Sequence, residues 1–367
     1  MKVMLYMIIM IFTILSTSSI IIIDITHTKY SDCLYSPVKI GTPHFSKDFG
    51  FDLHSDYSLI NSMNFYISQF SLSYKHSNQT VPNKNDNNII YNISFDHITV
   101  GHLGYDSVIK EFPFLVIMKK ELIPRNMRGL AGIISLSNCN NSLLAVLYNR
   151  GVIDYKSFLI THKQLIIGKE PNNEVRYYCN MQNNQFSCIL NTIEFILNKT
   201  VNFSLTIKET IKFELSTKKI LFPLHYLTYF EQYYFGQLLQ NNKCNKTYYE
   251  EQIIFRCKSI NNKSVSFVFE QFTMNIPDIL LFTEKDNIYE SLFVFGNYTN
   301  IYIGYDIIEY YELYFNGNSQ YIQFTSHTGS LHLVNRYVIK IIDSNSLLLC
   351  LGIFFIFTIK TFNFKYY

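Results

Sequence analysis

Apolar and polar positions alternate over short distances through most of this chain. Segments rich in Ile, Tyr, Phe, Val and Thr are broken by clusters of Asn, Asp, Gly and Ser, a pattern that predicts many short strands. Phe65–Leu72, Val265–Phe272 and Tyr321–Phe324 are clear examples. Helical periodicity is rare and is best seen at Leu143–Tyr148 and Leu224–Phe235. The polar stretch Asn78–Asn88 reads as a solvated loop. The expected class is all-β.

A faint internal repeat runs through the pattern. Phe51-Asp52-Leu53-His54-Ser55 returns as Phe213-Glu214-Leu215-Ser216-Thr217, each an aromatic, an acid, Leu, a variable residue and a hydroxyl. Downstream of each lies an apolar-Gly element, Leu130-Ala131-Gly132-Ile133 and then Tyr302-Ile303-Gly304-Tyr305. Duplication of this kind predicts two halves of similar build.

The ends carry a different pattern. Met1-Lys2, an apolar run from Val3 to Leu15 and then Ser16-Thr17-Ser18-Ser19 read as a secretory signal peptide over 1–19; a membrane anchor prolonged by Ile20–Ile23 is the alternative. Near the other end, Leu347–Ile359 is apolar and is followed by Lys360 and Lys365. This predicts a membrane segment over 344–360 with a short cytoplasmic tail, 361–367; a buried terminal helix is the alternative. The body is then lumenal or extracellular, on the secretory route or at the cell surface.

Composition adds three constraints. The 367 residues are 48% hydrophobic, enough for a large core or two lobes. A formal charge of +3 without charge runs gives no sign of a nucleic-acid partner. Of seven cysteines, Cys350 falls in the proposed span. The other six suit an oxidising compartment, and proximity pairs Cys179 with Cys188 and Cys244 with Cys257, leaving Cys33 with Cys139. Asn-x-Ser/Thr sequons at Asn78, Asn92, Asn140, Asn198, Asn202, Asn245, Asn262 and Asn297 agree with a lumenal body. No metal-ligand spacing, nucleotide loop, GxSxG elbow or HExxH helix occurs, so neither cofactor nor metal is expected.

The acid-bearing motifs have a family setting. Ile40-Gly41-Thr42-Pro43 followed by Phe51-Asp52, then Gly129-Leu130-Ala131-Gly132-Ile133, then Glu214 with Pro223 nine residues on, and finally Ile303-Gly304, Tyr310-Tyr311 and Phe315-Asn316 resemble the pepsin-like aspartic peptidases in order and spacing. The resemblance spans roughly Tyr35 to Phe324. It implies a bilobal all-β body with a central cleft, an N-terminal lobe over 30–175 and a C-terminal lobe over 176–335. It also implies that Asp52 and Glu214 occupy the two catalytic positions. The family's flap Tyr would fall at Ser94 by ungapped alignment, or at Tyr91 after a small insertion.

Peptide hydrolysis in such a site needs two carboxylates sharing a proton and a water. The active-site loops here depart from the family pattern. Leu53 and Leu215 stand where Thr hydroxyls join the two loops, and His54 and Ser216 stand where Gly is usual. Replacing both hydroxyls by apolar groups preserves packing without the hydrogen bonds, which predicts an apolar Leu53–Leu215 contact. Ser55 and Thr217 keep hydroxyls able to orient the carboxylates. His54 is either a substitute base or a packing residue. The expected function is a membrane-anchored, catalytically impaired peptidase-like protein that holds extended polypeptide. The alternatives are an active aspartic endopeptidase using Asp52 and Glu214, and an unrelated β-rich surface protein.

Overall fold

The computed structural model describes residues 20–27, 33–62, 66, 68–83, 86–101, 107–117, 129–171, 176–197, 200–249, 251–260, 263–325 and 331–333. The signal peptide and membrane segment expected at the two ends lie outside these residues. Among the described residues no helix is long and apolar enough to cross a membrane.

The first half is organised by β1 (Leu34–Ile40), β2 (Phe45–Asp52), β3 (Ser58–Asn61), β4 (Lys75–Asn83), β5 (Asp86–Val100), β6 (Ser107–Ile117) and β7 (Gly132–Ser135). Burial alternates along β1, with Leu34, Ser36, Val38 and Ile40 inside, as a strand facing a core on one side requires. The pairings β1–β2–β7–β3–β6–β5 return to β1 and close a barrel-like sheet, with β4 added outside β5. Helix α1 (Leu143–Asn149) follows β7; the hydroxyl of Ser142 caps it by accepting from the Ala145 amide at 3.1 Å.

The second half repeats the central motif. Its strands are β8 (Thr200–Glu214), β9 (Ile220–Pro223), β10 (Ile288–Gly296) and β11 (Ile301–Gly304), and helix α2 (Tyr305–Tyr310) follows β11 directly. In the first half β2 runs parallel to β7, β7 antiparallel to β3, and β3 parallel to β6. In the second β8 runs parallel to β11, β11 antiparallel to β9, and β9 parallel to β10. The topology is the same, and the acid ends the first strand of each motif.

A third sheet joins the halves in the order Ile21–Asp24, Gln164–Ile167, Ser157–Ile160, Tyr314–Asn316, Tyr321–Gln323 and Tyr178–Asn180. One hydrophobic cluster runs through both halves, from Leu34, Phe51 and Phe112 to Phe213, Phe293 and Tyr311. Phe158, Phe186 and Phe315 pack ring against ring where the halves meet, with centroids 4.6–5.2 Å apart.

Several expectations are corrected. The supposed loop Asn78–Asn88 is mostly strand, because β4 and β5 form a hairpin whose second strand pairs with β6; pairing with a neighbour overrides weak intrinsic preference. Ser68–Phe70 is a 3-10 turn rather than strand. Val265–Phe272 contains a reversal between the strands Lys263–Val268 and Phe272–Ile276. Cys179–Cys188 and Cys244–Cys257 are disulfides, but Cys33 and Cys139 are not joined. Cys33 is buried, and the Cys139 thiol instead donates to Asp56 Oδ1 at 2.8 Å.

Candidate functional site

Asp52 sits at the end of β2 and is 8% exposed. Glu214 ends β8, with its side chain 13% exposed. Burial, and then the negative charge of Asp52, push the Glu214 carboxyl above its usual range, while His54 and Ser216 act in the opposite direction. The two acid-bearing loops meet at the junction of the halves, where His54, two residues after Asp52, reaches the backbone beside Glu214.

The carboxylates are held chiefly from within their own loops. Asp52 Oδ2 accepts from the Ser55 amide at 2.6 Å, and Glu214 Oε1 accepts from the Ser216 amide at 3.1 Å. The hydroxyl expected from Thr217 is engaged elsewhere: it accepts from the Lys219 amide at 3.1 Å. On the first loop it is the Ser55 amide that meets Asp52.

Leu53 and Leu215 are each 1% exposed, within the common core. In place of a hydroxyl network, two donors from the first half reach backbone carbonyls that flank Glu214. The Leu34 amide donates to Leu215 O at 3.0 Å, and His54 Nε2 donates to Phe213 O at 2.8 Å. A carbonyl only accepts, so the His54 proton is on Nε2. The same nitrogen lies 3.9 Å from Glu214 Oε2. The Nδ1 atom is buried and makes no hydrogen bond. His54 is thus a cross-half tie packed beside Glu214.

Register revises one part of the motif reading. Across the parallel pair β2–β7, Asp52 faces Ser135, and Gly132 faces Phe49. Across β8–β11, Glu214 faces Gly304. Ser135 therefore stands where the second half has Gly304, and Gly132 lies three positions too early to match it. The Ser135 hydroxyl donates to Ser55 O, and its amide donates to Ser58 Oγ at 3.0 Å. The glycine in Leu130–Ile133 misdirected the reading. It is required for a different contact, since a Cβ there would stand 2.3 Å from Leu59 O.

Cys33, expected as a disulfide partner of Cys139, was not expected near the acids. Its thiol is buried, and burial pushes it up to about 12; the Phe51 backbone lowers it, and the charges of Glu214 and Asp52 raise it further. It is a packing group near the acids and has little thiolate character. Nothing in the local sequence around Cys33 distinguishes it.

The two flap positions lie on β5. Tyr91, like Leu59, packs against the cluster of Ile117 and Ile133. Ser94 is buried, and its hydroxyl lies 3.0 Å from the hydroxyl of Tyr74. Deeper in the barrel, buried Asp96 accepts from the Tyr66 hydroxyl at 2.5 Å, from the His97 amide at 2.7 Å and from the Ser73 hydroxyl. That network ties the β4–β5 hairpin to the Gly41-Thr42 turn, because the Ser73 hydroxyl, whose one proton goes to Asp96, accepts from Thr42 Oγ1 at 2.8 Å. A hollow of about 240 Å³ lies between the hairpin and α1, lined by Tyr57, Ile93, Phe95, Pro113 and Val146 among others. Its lining includes no residue of the Asp52–Ser55 or Glu214–Thr217 segments. Among the described residues no cluster suited to a metal ion occurs.

Two matched halves, each ending its leading strand in an acid, define a bilobal β fold of the pepsin-like type. Solved structures share it. Basic 7S globulin from soybean aligns at a TM-score of 0.66 and 15% identity, over 84% of this chain and 95% of that chain. Conglutin gamma, a basic 7S globulin from lupine seeds, aligns at 0.65 and 13%, again over 84% and 95%. Edgp aligns at 0.63 and 11%, with the same coverages. These identities establish the fold alone. No protein-family model and no curated protein sequence matches the chain.

Proposed function

We propose that this protein holds an extended polypeptide between its halves without hydrolysing it. Its body lies on the lumenal or outer side of a membrane, tethered by the apolar segment 344–360. The observation that carries the reading is His54, whose ring bridges to Phe213 O and flanks Glu214 where the family has the smallest residue. Hydrolysis needs a water between two freely facing carboxylates, and misplacement by about 1 Å costs on the order of a hundredfold in rate. Glu214 carries one methylene more than Asp. Peptide binding depends mainly on backbone hydrogen bonds and does not require the acids to be poised for catalysis. The two disulfides suit an oxidising compartment.

The test is incubation of the full chain with a peptide library from about pH 3 to pH 7, reading capture and cleavage separately by mass spectrometry. Peptide retention with no new termini is expected. Cleavage that disappears in D52N would overturn the reading. It would establish a second one, an active endopeptidase, which draws support from the raised Glu214 carboxyl beside Asp52.

A further inference from the structure

Six of the eight sequon asparagines lie among the described residues, and all six are exposed: Asn78, Asn92, Asn140, Asn202, Asn245 and Asn297. Asn61 and Asn316, which are buried, lie outside any sequon. Exposure is ordinary for asparagine, but two of the six are set apart by where they stand.

The eight-stranded sheet ends at β4, which has nine residues, and the eleven-stranded sheet ends at Cys244–Tyr249, which has six. The remaining terminal strands among the described residues have two to four residues; inside the eleven-stranded sheet, β8 pairs on one side only over Thr200–Thr210 among the described residues. A long open edge presents a row of unpaired N–H and C=O groups to any other chain, and proteins guard against that. The edge Cys244–Tyr249 is especially open to association, since Tyr248 is 71% exposed and Tyr249 61%. Each of the two longer terminal strands carries a sequon. Asn78 with Thr80 is on β4, and Asn245 with Thr247 is on the other.

We propose that Asn78 and Asn245 are N-glycosylated and that their glycans block strand addition at the two longer terminal strands, β4 and Cys244–Tyr249. The inference rests on the lumenal placement proposed above. The co-reactant is an oligosaccharide carried on a lipid diphosphate. The asparagine Nδ2 forms a bond to the sugar's C1 and loses a proton. The C1–oxygen bond breaks, and the lipid diphosphate leaves with the electron pair. A branched, hydrated glycan on either strand occupies the space that a pairing strand would need.

The full chain would be produced in a eukaryotic secretory host. Glycosidase release in heavy-oxygen water marks each formerly occupied asparagine as a labelled Asp, and peptide mapping locates it. Labelled Asn78 and Asn245 are expected. N78Q and N245Q should each remove one glycan and raise the high-mass fraction in light scattering severalfold; T80A and T247A should do the same without touching the asparagines. N92Q, on an inner strand, should leave the high-mass fraction unchanged whether or not Asn92 carries a glycan. If no sequon is occupied, the lumenal placement fails and the proposal with it. If other sequons are occupied but these two are not, only the edge proposal falls. Occupancy whose loss leaves association unchanged also overturns it.

Discussion

His54 Nε2 donates across the junction of the halves to Phe213 O at 2.8 Å and stands 3.9 Å from the Glu214 carboxylate. One side chain therefore ties the two acid loops together and offsets the rise in the Glu214 pKa. H54A removes the donor from a buried carbonyl, which costs about 1–3 kcal/mol. It also lets the Glu214 carboxyl move further up, because His54 opposes the rise. H54Q, whose amide still donates, should recover part of the stability. Denaturant midpoints for both variants, with carboxyl NMR of Glu214, check this. Unchanged midpoints in both would show that the tie contributes nothing.

The loop leucines make a second case. Leu53 and Leu215 are both in the common core at 1% exposure. L53T or L215T alone places a hydroxyl among apolar neighbours and should cost about 1–3 kcal/mol. The double variant should cost less than the sum, by on the order of 1 kcal/mol, if the two hydroxyls meet. A double-mutant cycle in urea measures that coupling. Strict additivity would mean that the two side chains do not touch.

The bilobal plan was legible because duplication leaves paired motifs, and the two acids are the strand ends where those motifs are strongest. The site's working contacts were not legible. The His54–Phe213 and Leu34–Leu215 hydrogen bonds use backbone carbonyls, which any residue supplies, so sequence carries no mark of them. Ser135 was missed because Gly132 drew the alignment three positions away. The β4–β5 hairpin was missed because its stability comes from pairing with β6 and not from its own polar residues. Cys33 and Cys139 were paired by elimination, which carries no information about distance.

Stability should fall as pH rises, through a second acid far from the loops in sequence. Burial, with Asp306 adding to it, pushes the Glu309 carboxyl up to about 8. The unfolded group titrates near ~4.3. Between those values the native state holds more protons than the unfolded chain, so rising pH favours unfolding until the folded group has ionised. Glu214 is shifted in the same direction. E309Q should therefore match the wild type at about pH 4 and exceed it in Tm above about pH 8, with a shallower slope between. Glu214 maintains the residual slope. Melting curves across this range decide it; parallel curves would place Glu309 outside the linkage.

The two halves should differ in what they tolerate opposite their acids. At Gly304, across from Glu214, an added Cβ would lie 2.4 Å from the Lys218 carbonyl carbon and 2.5 Å from Lys219 O. Both contacts are backbone, so no rotamer relieves them, and G304A should cost about 3 kcal/mol or more. At the matching position the first half has opened enough to seat Ser135, whose hydroxyl bonds Ser55 O. S135A should then cost only the lost hydrogen bond, about 1 kcal/mol, and S135G somewhat more through added backbone freedom in the unfolded chain. Equilibrium unfolding of the three variants tests the asymmetry. If G304A proved as mild as S135A, the second loop would have slack that its packing denies, and Glu214 would be free to move relative to Asp52.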